Sequence, residues 1–510
     1  MSIAKTLSAH IFGLMMETII VEVDISNGLH SFSIVGLGDR SVDEAKDRIS
    51  AAIKNTGYIS PKQKNQKVVI SLAPADIRKE GPSFDLAMAL AYLSASGDIE
   101  FEFEHTLFLG ELSLEGRLRK VSGVLPILIQ SPKHGFTTAF IPKENASEAS
   151  LAQDIIIYAV SSLQEVIDHI TRTKKLHPLE RKNITCEQPL TFENDIALVR
   201  GNETAKRALE IAVAGCHNII LHGPPGTGKT MLAQSAVSIM PMLTHEQAIE
   251  VTGIHSIART LDKPLITQPP FRAPHHTASL ISIFGGGNSP HPGEITLAHR
   301  GILFLDELPE FEHRVIEGLR QPLEDGEVTI SRSRASVTFP AQCMIIATMN
   351  PCKCGKGKDN GCTCSPKSIE MYKRKISNAI FDRIDMWIQV SKVDYDKLSF
   401  GISDTANADE MRKRIVLARK IQSDRFKRDG GEIKRYYNSE MSARDIEKSA
   451  LIESGARKIL ALSSEKLKLS GRAFHRIIKV ARTIADLEQS THIEKKHILE
   501  ALQYRQKTSL

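Results

Sequence analysis

The residues Gly223-Pro224-Pro225-Gly226-Thr227-Gly228-Lys229-Thr230 satisfy the phosphate-loop pattern G-x-x-x-x-G-K-[ST]. An apolar run, HNIILH, precedes them and a helical pattern, KTMLAQSAVSIM, follows, which is the strand–loop–helix setting the pattern requires. Glycines let successive backbone N–H groups and the helix N-terminus point at phosphate oxygens. Lys229 is then expected on the β- and γ-phosphates of a nucleoside triphosphate, and Thr230 on Mg²⁺. Further along, Gly301-Ile302-Leu303-Phe304-Leu305-Asp306-Glu307 is an apolar strand pattern ending in two carboxylates. Asp306 is suited to hold the magnesium through its water shell, and Glu307 to polarise an attacking water. A positioned base contributes roughly 10²–10⁴-fold, so hydrolysis rather than binding alone is expected. A third run, CMIIATMN, ends in Asn350 and sets another polar side chain at the phosphate end.

Such residues work only if a sheet brings the ends of several strands together. Over 196–392 the runs HNIILH, GILFLD, CMIIATMN and DMWIQV alternate with helical patterns, which predicts a mostly parallel sheet covered by helices. Residues 1–170 alternate short strand patterns with helical ones closed by glycine, an α+β domain. The charged, aperiodic stretch 171–195 reads as a linker, and the pattern over 393–510 is helical. The expected fold class is therefore multidomain α/β. Its length of 510 residues suits two or three domains, and 41% hydrophobic with 25% charged residues excludes a mostly disordered chain. No apolar run approaches the roughly 20 residues of a membrane span. The first twenty residues lack the marks of a signal peptide, so a cytoplasmic protein with reduced thiols and no membrane partner is expected.

Charge and cysteines are unevenly placed. Residues 391–510 hold 26 lysines and arginines against 17 acids, an excess of nine, within a chain whose net charge is +6. That balance fits either solvated helix faces or an anionic partner, nucleic acid being the commonest. Four of the seven cysteines, Cys352, Cys354, Cys362 and Cys364, crowd into one loop with Lys353, Lys356 and Lys358. Four thiolates suit a tetrahedral Zn²⁺ site, although C-x-C pairs are less usual than C-x-x-C. Free, redox-sensitive thiols are the alternative. His275 and His276 are adjacent, which favours a structural or substrate-contacting role over metal ligation.

With these motifs the chain resembles the AAA+ ATPases, and within them the magnesium-chelatase-like ComM/YifB family. The resemblance is carried by PFRAPHHTASL (270–280), PGEITLAHRGILFLDELPEF (292–311), LRQPLEDGEVTISR (319–332), NPCKCG (350–355) and LSGRAFHRIIKVARTIADLE (469–488). It implies ATP with Mg²⁺, Asn350 as sensor 1, Arg383 as an arginine finger and Arg472 as the sensor-2 arginine. A finger acts on a neighbouring subunit's nucleotide, so the resemblance implies a ring, expected as a homo-hexamer. It also implies two inserted segments facing the ring centre, roughly 253–290 and the hairpin-like 327–340. Arg332 and Arg334 near the hairpin tip are suited to DNA phosphates, single-stranded or branched. The function implied is a DNA motor, a branch-migration helicase of recombination or natural transformation. The alternatives are the ATPase subunit of a metal-chelatase complex, an ATP-dependent peptidase and a non-motor assembly switch.

The amino-terminal segment Glu80-Gly81-Pro82-Ser83-Phe84-Asp85 resembles the serine motif of Lon-type proteases, and residues 1–170 a Lon-like domain. Such a serine needs a lysine as its base. In the segment EGRLRKVSGVLPILIQ the matching position is Leu125, and Lys120 lies five residues away, outside the motif. A non-proteolytic domain is expected, with Ser83 a helix N-cap reinforced by Asp85. The central domain and the helical lid over 393–510 complete the expected architecture.

Overall fold

Strand Met15–Asn27 shows how the pattern becomes structure: Ile19, Val21, Val23 and Ile25 are buried, every second residue, as one face of a sheet demands. The strand pairs antiparallel with Ser2–Phe12 across a turn at Gly13, whose φ of 65° favours glycine. The computed structural model describes all residues except 1, 37–39, 76–78, 80, 102–103, 182–193, 288–289, 332–335, 358–360, 393–404, 429–434 and 506–510. These form two compact units. The first comprises Met1–Thr185 with His245–Ile266 and Ser289–His291; the second comprises Cys186–Thr244, Thr267–Asn288 and Pro292–Leu510.

The first unit carries a seven-stranded mixed sheet in the order Ser31–Val35, Gln66–Ala73, Met15–Asn27, Ser2–Phe12, Thr106–Phe108, Thr138–Pro142, Ile156–Val160. The last four strands run parallel to one another. Helix Asp85–Ala95 is buried on nearly every side, which fits its largely apolar sequence. Helix His245–Ile257 also belongs to this unit although its sequence lies inside the expected ATPase domain. Its Ser256 hydroxyl donates to Glu148 at 2.6 Å, and its Gly253 faces Pro126 of helix Val124–Gln130. Ile254, His255 and Ser256 are buried there. The start of the 253–290 segment therefore packs within this unit.

The second unit holds a five-stranded sheet, entirely parallel, in the order Phe271–Arg272, Ile302–Leu305, Met344–Met349, Ile219–His222, Met386–Gln389. The three central strands are buried along their length or nearly so, as a parallel sheet covered on both faces requires. Helices Thr405–Arg428 and Gly471–Leu487 pack on helix Glu203–Gly215 in the cluster beneath one face. Gly471–Leu487 buries Ile477, Ile478, Val480, Ala481 and Ile484, a helical stripe, and begins at Ser470, whose hydroxyl accepts from the Ala473 N–H. Buried Asp486 ties this bundle together. It receives the guanidinium of Arg425, Arg482 Nε at 3.1 Å and Asn438 Nδ2 at 2.8 Å. Among the described residues no helix is long and apolar enough to cross a membrane.

Candidate functional site

The phosphate loop follows strand Ile219–His222 and ends in helix Lys229–Ser235, as its pattern predicts. Gly226 and Gly228 take φ of 74° and 82°, the left-handed region that side chains disfavour. Gly223 is required for a different reason: a Cβ there would lie 2.2 Å from the carbonyl oxygen of Val390. Together with Met231 the loop lines a cleft of about 370 Å³ that also takes in Asp306, Glu307, Thr348 and Asn350.

One polar chain runs across that cleft. Lys229 Nζ donates to the carbonyl oxygens of Gly223 and Pro224 at 2.7 and 2.8 Å and to Asn350 Oδ1 at 3.1 Å. Asn350 Nδ2 in turn donates to Glu307 Oε1 at 3.2 Å. The Thr230 hydroxyl donates to Asp306 Oδ2 at 3.3 Å. Thr348 joins the Asp306 carboxylate to the Glu307 backbone. Its hydroxyl donates to Asp306 Oδ1 at 2.5 Å and accepts the Glu307 N–H at 2.8 Å. Glu307 holds φ at 53°, an uncommon value for a side-chain-bearing residue, and this turns the chain sharply behind Asp306. Burial lowers the Lys229 ammonium below its usual range, with Asp306 and Glu307 pulling the other way. His222, at the end of the strand, is pushed down to about 4 by burial and by the charges of Lys229 and Lys373.

The donor set fits a magnesium nucleotide. The Lys229 ammonium spends its hydrogen bonds on main-chain carbonyls and an amide, acceptors that a phosphate can replace. A hydroxyl and a carboxylate already in contact, Thr230 with Asp306, are hard oxygen ligands of the kind Mg²⁺ takes. Thr348 escaped the motif reading. It lies on strand Met344–Met349, two residues before Asn350, which follows the strand's end, and that spacing was the available signal.

Arg383 and Arg472 lie elsewhere in the second unit, and neither lines the cleft. Both converge on Glu324: Arg383 Nη2 reaches Oε2 and Arg472 Nη2 reaches Oε1, each at 2.5 Å. The hydrogen bond from Arg383 holds the Glu324 carboxyl below the usual carboxylate range. Glu324 was not singled out from sequence, since nothing in its spacing marks it. The 327–340 segment is a hairpin as expected, with Glu327–Ser331 and Ser336–Pro340 antiparallel and Ser331 opposite Ser336. Arg332 and Arg334, which lie between the two strands in sequence, are outside the described residues. Lys358 is outside them as well, whereas Lys353 and Lys356 are exposed. His275 Nδ1 is engaged by the Thr277 hydroxyl at 2.8 Å and its ring meets that of His276 at 4.1 Å.

The four cysteines do meet. Their sulfurs all lie within 4.8 Å of one another, and Cys352 Sγ stands 3.3 Å from Cys354 Sγ and 3.4 Å from Cys362 Sγ. None is in a disulfide.

In the first unit the serine motif is laid out differently from expectation. Helix Asp85–Ala95 starts after Phe84, with no side-chain cap, so Ser83 is not its N-cap. Asp85 turns inward, where Arg48 donates to it through Nε at 2.8 Å and Nη2 at 3.1 Å and the Leu112 N–H adds a third bond at 3.2 Å. Burial pushes its carboxyl up to about 6 despite the Arg48 guanidinium. Ion pairing with Arg48 outcompetes the helix end for this carboxylate. Leu125 is fully buried in an apolar helix and Lys120 is exposed.

The sequence matches known proteins along its whole length. Residues 195–398 match the family described as magnesium chelatase, subunit ChlI; residues 21–145 match subunit ChlI of Mg-chelatase; residues 405–505 match its C-terminal part. Competence protein ComM of Haemophilus influenzae is 39% identical over 514 aligned positions, covering 99% of this chain and 98% of the relative. YifB of Salmonella typhimurium is 39% identical over 508, covering 99% and 97%. Lon protease of Finegoldia magna is 26% identical over 161 positions in the amino-terminal region, covering 29% of this chain and 20% of that protein.

Proposed function

The chain belongs to the ComM/YifB family of magnesium-chelatase-like AAA+ proteins, and from that membership we propose that it is an ATP-hydrolysing motor that works on DNA as a homo-hexameric ring. The polar chain Lys229–Asn350–Glu307–Thr348–Asp306–Thr230 carries the reading. On nucleotide binding the Lys229 ammonium exchanges the Gly223 and Pro224 carbonyls for phosphate oxygens, while the loop N–H groups hold the rest of the phosphate chain. Magnesium, when bound, supplies positive charge at the transferring phosphoryl group. Thr230 and Asp306 are the residues to hold it. Glu307 takes the proton of the attacking water through its carboxylate. Its reach is set by the Thr348–Glu307 N–H bond and by Asn350, which senses the phosphates and the base together. Arg383 is assigned to a neighbour's nucleotide and Arg472 to the sensor-2 role. In this state Glu324 pairs with both.

DNA as substrate is supported by the excess of nine positive charges over 391–510, by Arg332 and Arg334 in the sequence between the paired strands Glu327–Ser331 and Ser336–Pro340, and by the word competence in the Haemophilus relative's name. Branch migration during recombination or transformation is the corresponding role. The match to a chelatase subunit favours a second reading, in which the same ATPase drives metal insertion. Measuring ATP turnover with and without single-stranded, duplex and four-way-junction DNA separates them. A motor is stimulated by DNA, and its binding falls with salt with a log–log slope near −0.9 per duplex phosphate contacted. Replacing Arg332 and Arg334 by alanine flattens that slope and leaves basal turnover unchanged. No salt-sensitive DNA binding, with or without ATP, rejects the motor and leaves the chelatase-type reading.

A further inference from the structure

The four-cysteine loop begins two residues after Asn350 and lies against the phosphate loop. A Cβ on Gly355 would stand 2.9 Å from Pro225 Cδ, and one on Gly357 would stand 3.1 Å from Pro351 Cγ. This backbone is therefore seated on the nucleotide site at Pro225, while its second close approach is to Pro351, the residue that follows Asn350. Sulfur separations of 3.3, 3.4 and 3.6 Å among Cys352, Cys354 and Cys362 are far longer than a disulfide of about 2.05 Å. They lie close to the edge of about 3.8 Å that four thiolates form around one zinc at about 2.3 Å. With all four sulfurs within 4.8 Å, the pocket has room for one ion and none for bridged irons.

The local backbone is that of a metal knuckle. Gly355, Gly357 and Gly361 take φ of 80°, 73° and 72°, conformations that let the chain fold back around a thiolate. The Gly357 N–H points at Cys352 Sγ and the Cys364 N–H at Cys362 Sγ, both at 3.4 Å, the outer bonds that orient a ligating sulfur. Lys353 and Lys356 face solvent beside it and offset its negative charge.

We propose that Cys352, Cys354, Cys362 and Cys364 bind one zinc ion, and that the knuckle so formed braces Pro225 and Asn350 in the geometry that accepts nucleotide. Each thiol gives its proton to solvent as it ligates, and no redox step is involved. The bracing rests on the nucleotide reading above, whereas the metal site does not. The test uses the full-length chain purified under reducing conditions from zinc-supplemented cells. Elemental analysis without nucleotide is expected to give about one zinc per chain. The paired variant Cys354→Ser with Cys362→Ser should hold less than a tenth of that. Chelator-stripped wild type should lose ATP affinity at least tenfold and regain it on adding Zn²⁺ alone, with circular dichroism reporting that the fold persists throughout. Wild type without zinc, or a serine variant that keeps it, overturns the site. Stripped protein that binds ATP with unchanged affinity overturns the brace. If zinc-loaded wild type binds no ATP, the nucleotide reading fails and the brace with it, and the zinc content still stands.

Discussion

Two parts of this molecule look like active sites in sequence, and their side chains behave in opposite ways. In the nucleotide cleft, residues from three separated segments, 223–230, 306–307 and 348–350, end in hydrogen bonds to one another. In the first unit the serine motif disperses. Ser83 precedes an uncapped helix, Asp85 is committed to Arg48, and the position of the needed lysine is a leucine sealed in the core. A motif keeps its chemistry only when each polar member retains a partner that shares the work. Where one member turns apolar, the others are drawn into structural bonds.

That contrast predicts where substitutions hurt. Lys229→Ala removes a charge-assisted pair of phosphate contacts worth about 3 kcal/mol together, so nucleotide affinity should drop about a hundredfold in a direct binding titration. In the first unit the sensitive residue is Arg48 rather than Ser83. Arg48→Ala leaves the Asp85 carboxylate buried without its guanidinium and should cost about 3 kcal/mol in chemical denaturation. A loss under 1 kcal/mol would show that Asp85 simply takes up a proton. His222 supplies a pH signature for the ATPase unit. Its folded value near 4 lies below the unfolded 6.5, so the unfolded chain binds the extra proton. Stability is thus full above pH 6.5 and declines as pH falls toward 4, by about 2 kcal/mol after allowance for partial exposure. His222→Gln should flatten the melting temperature across that window, and an unchanged slope would assign the effect to other groups. The smallest effect belongs to Ser83→Ala, which should leave ATP turnover unchanged and stability within about 0.5 kcal/mol.

The cleft was legible in the sequence because its chemistry is local. A phosphate loop needs glycines at fixed offsets, and a buried strand ending in Asp306-Glu307 shows as an apolar run. Asn350 was found from its strand end, and Thr348 two residues earlier carries the same signal. Long-range pairings were not legible. Glu324 meets Arg383 and Arg472 across 59 and 148 residues, and no periodicity encodes that encounter. Helix His245–Ile257 lies inside the stretch expected to form the ATPase domain, yet it belongs to the first unit, a choice made by tertiary packing. The cap at Ser83 failed for the same reason, since the Arg48 guanidinium competes for Asp85 more strongly than the helix end does. The four cysteines were visible as a cluster in sequence, but how the segment between the two C-x-C pairs folds back was not; Gly355, Gly357 and Gly361 take positive φ there.

The proposed motor requires that the cleft bind ATP and that Glu307 drive its hydrolysis. Phosphate release by Glu307→Gln, measured at nucleotide concentrations that saturate both proteins in a parallel binding titration, tests it most directly. The account predicts ATP affinity within about twofold of wild type and turnover reduced roughly 10²–10⁴-fold, the contribution of a positioned base. Normal turnover in that variant would contradict it.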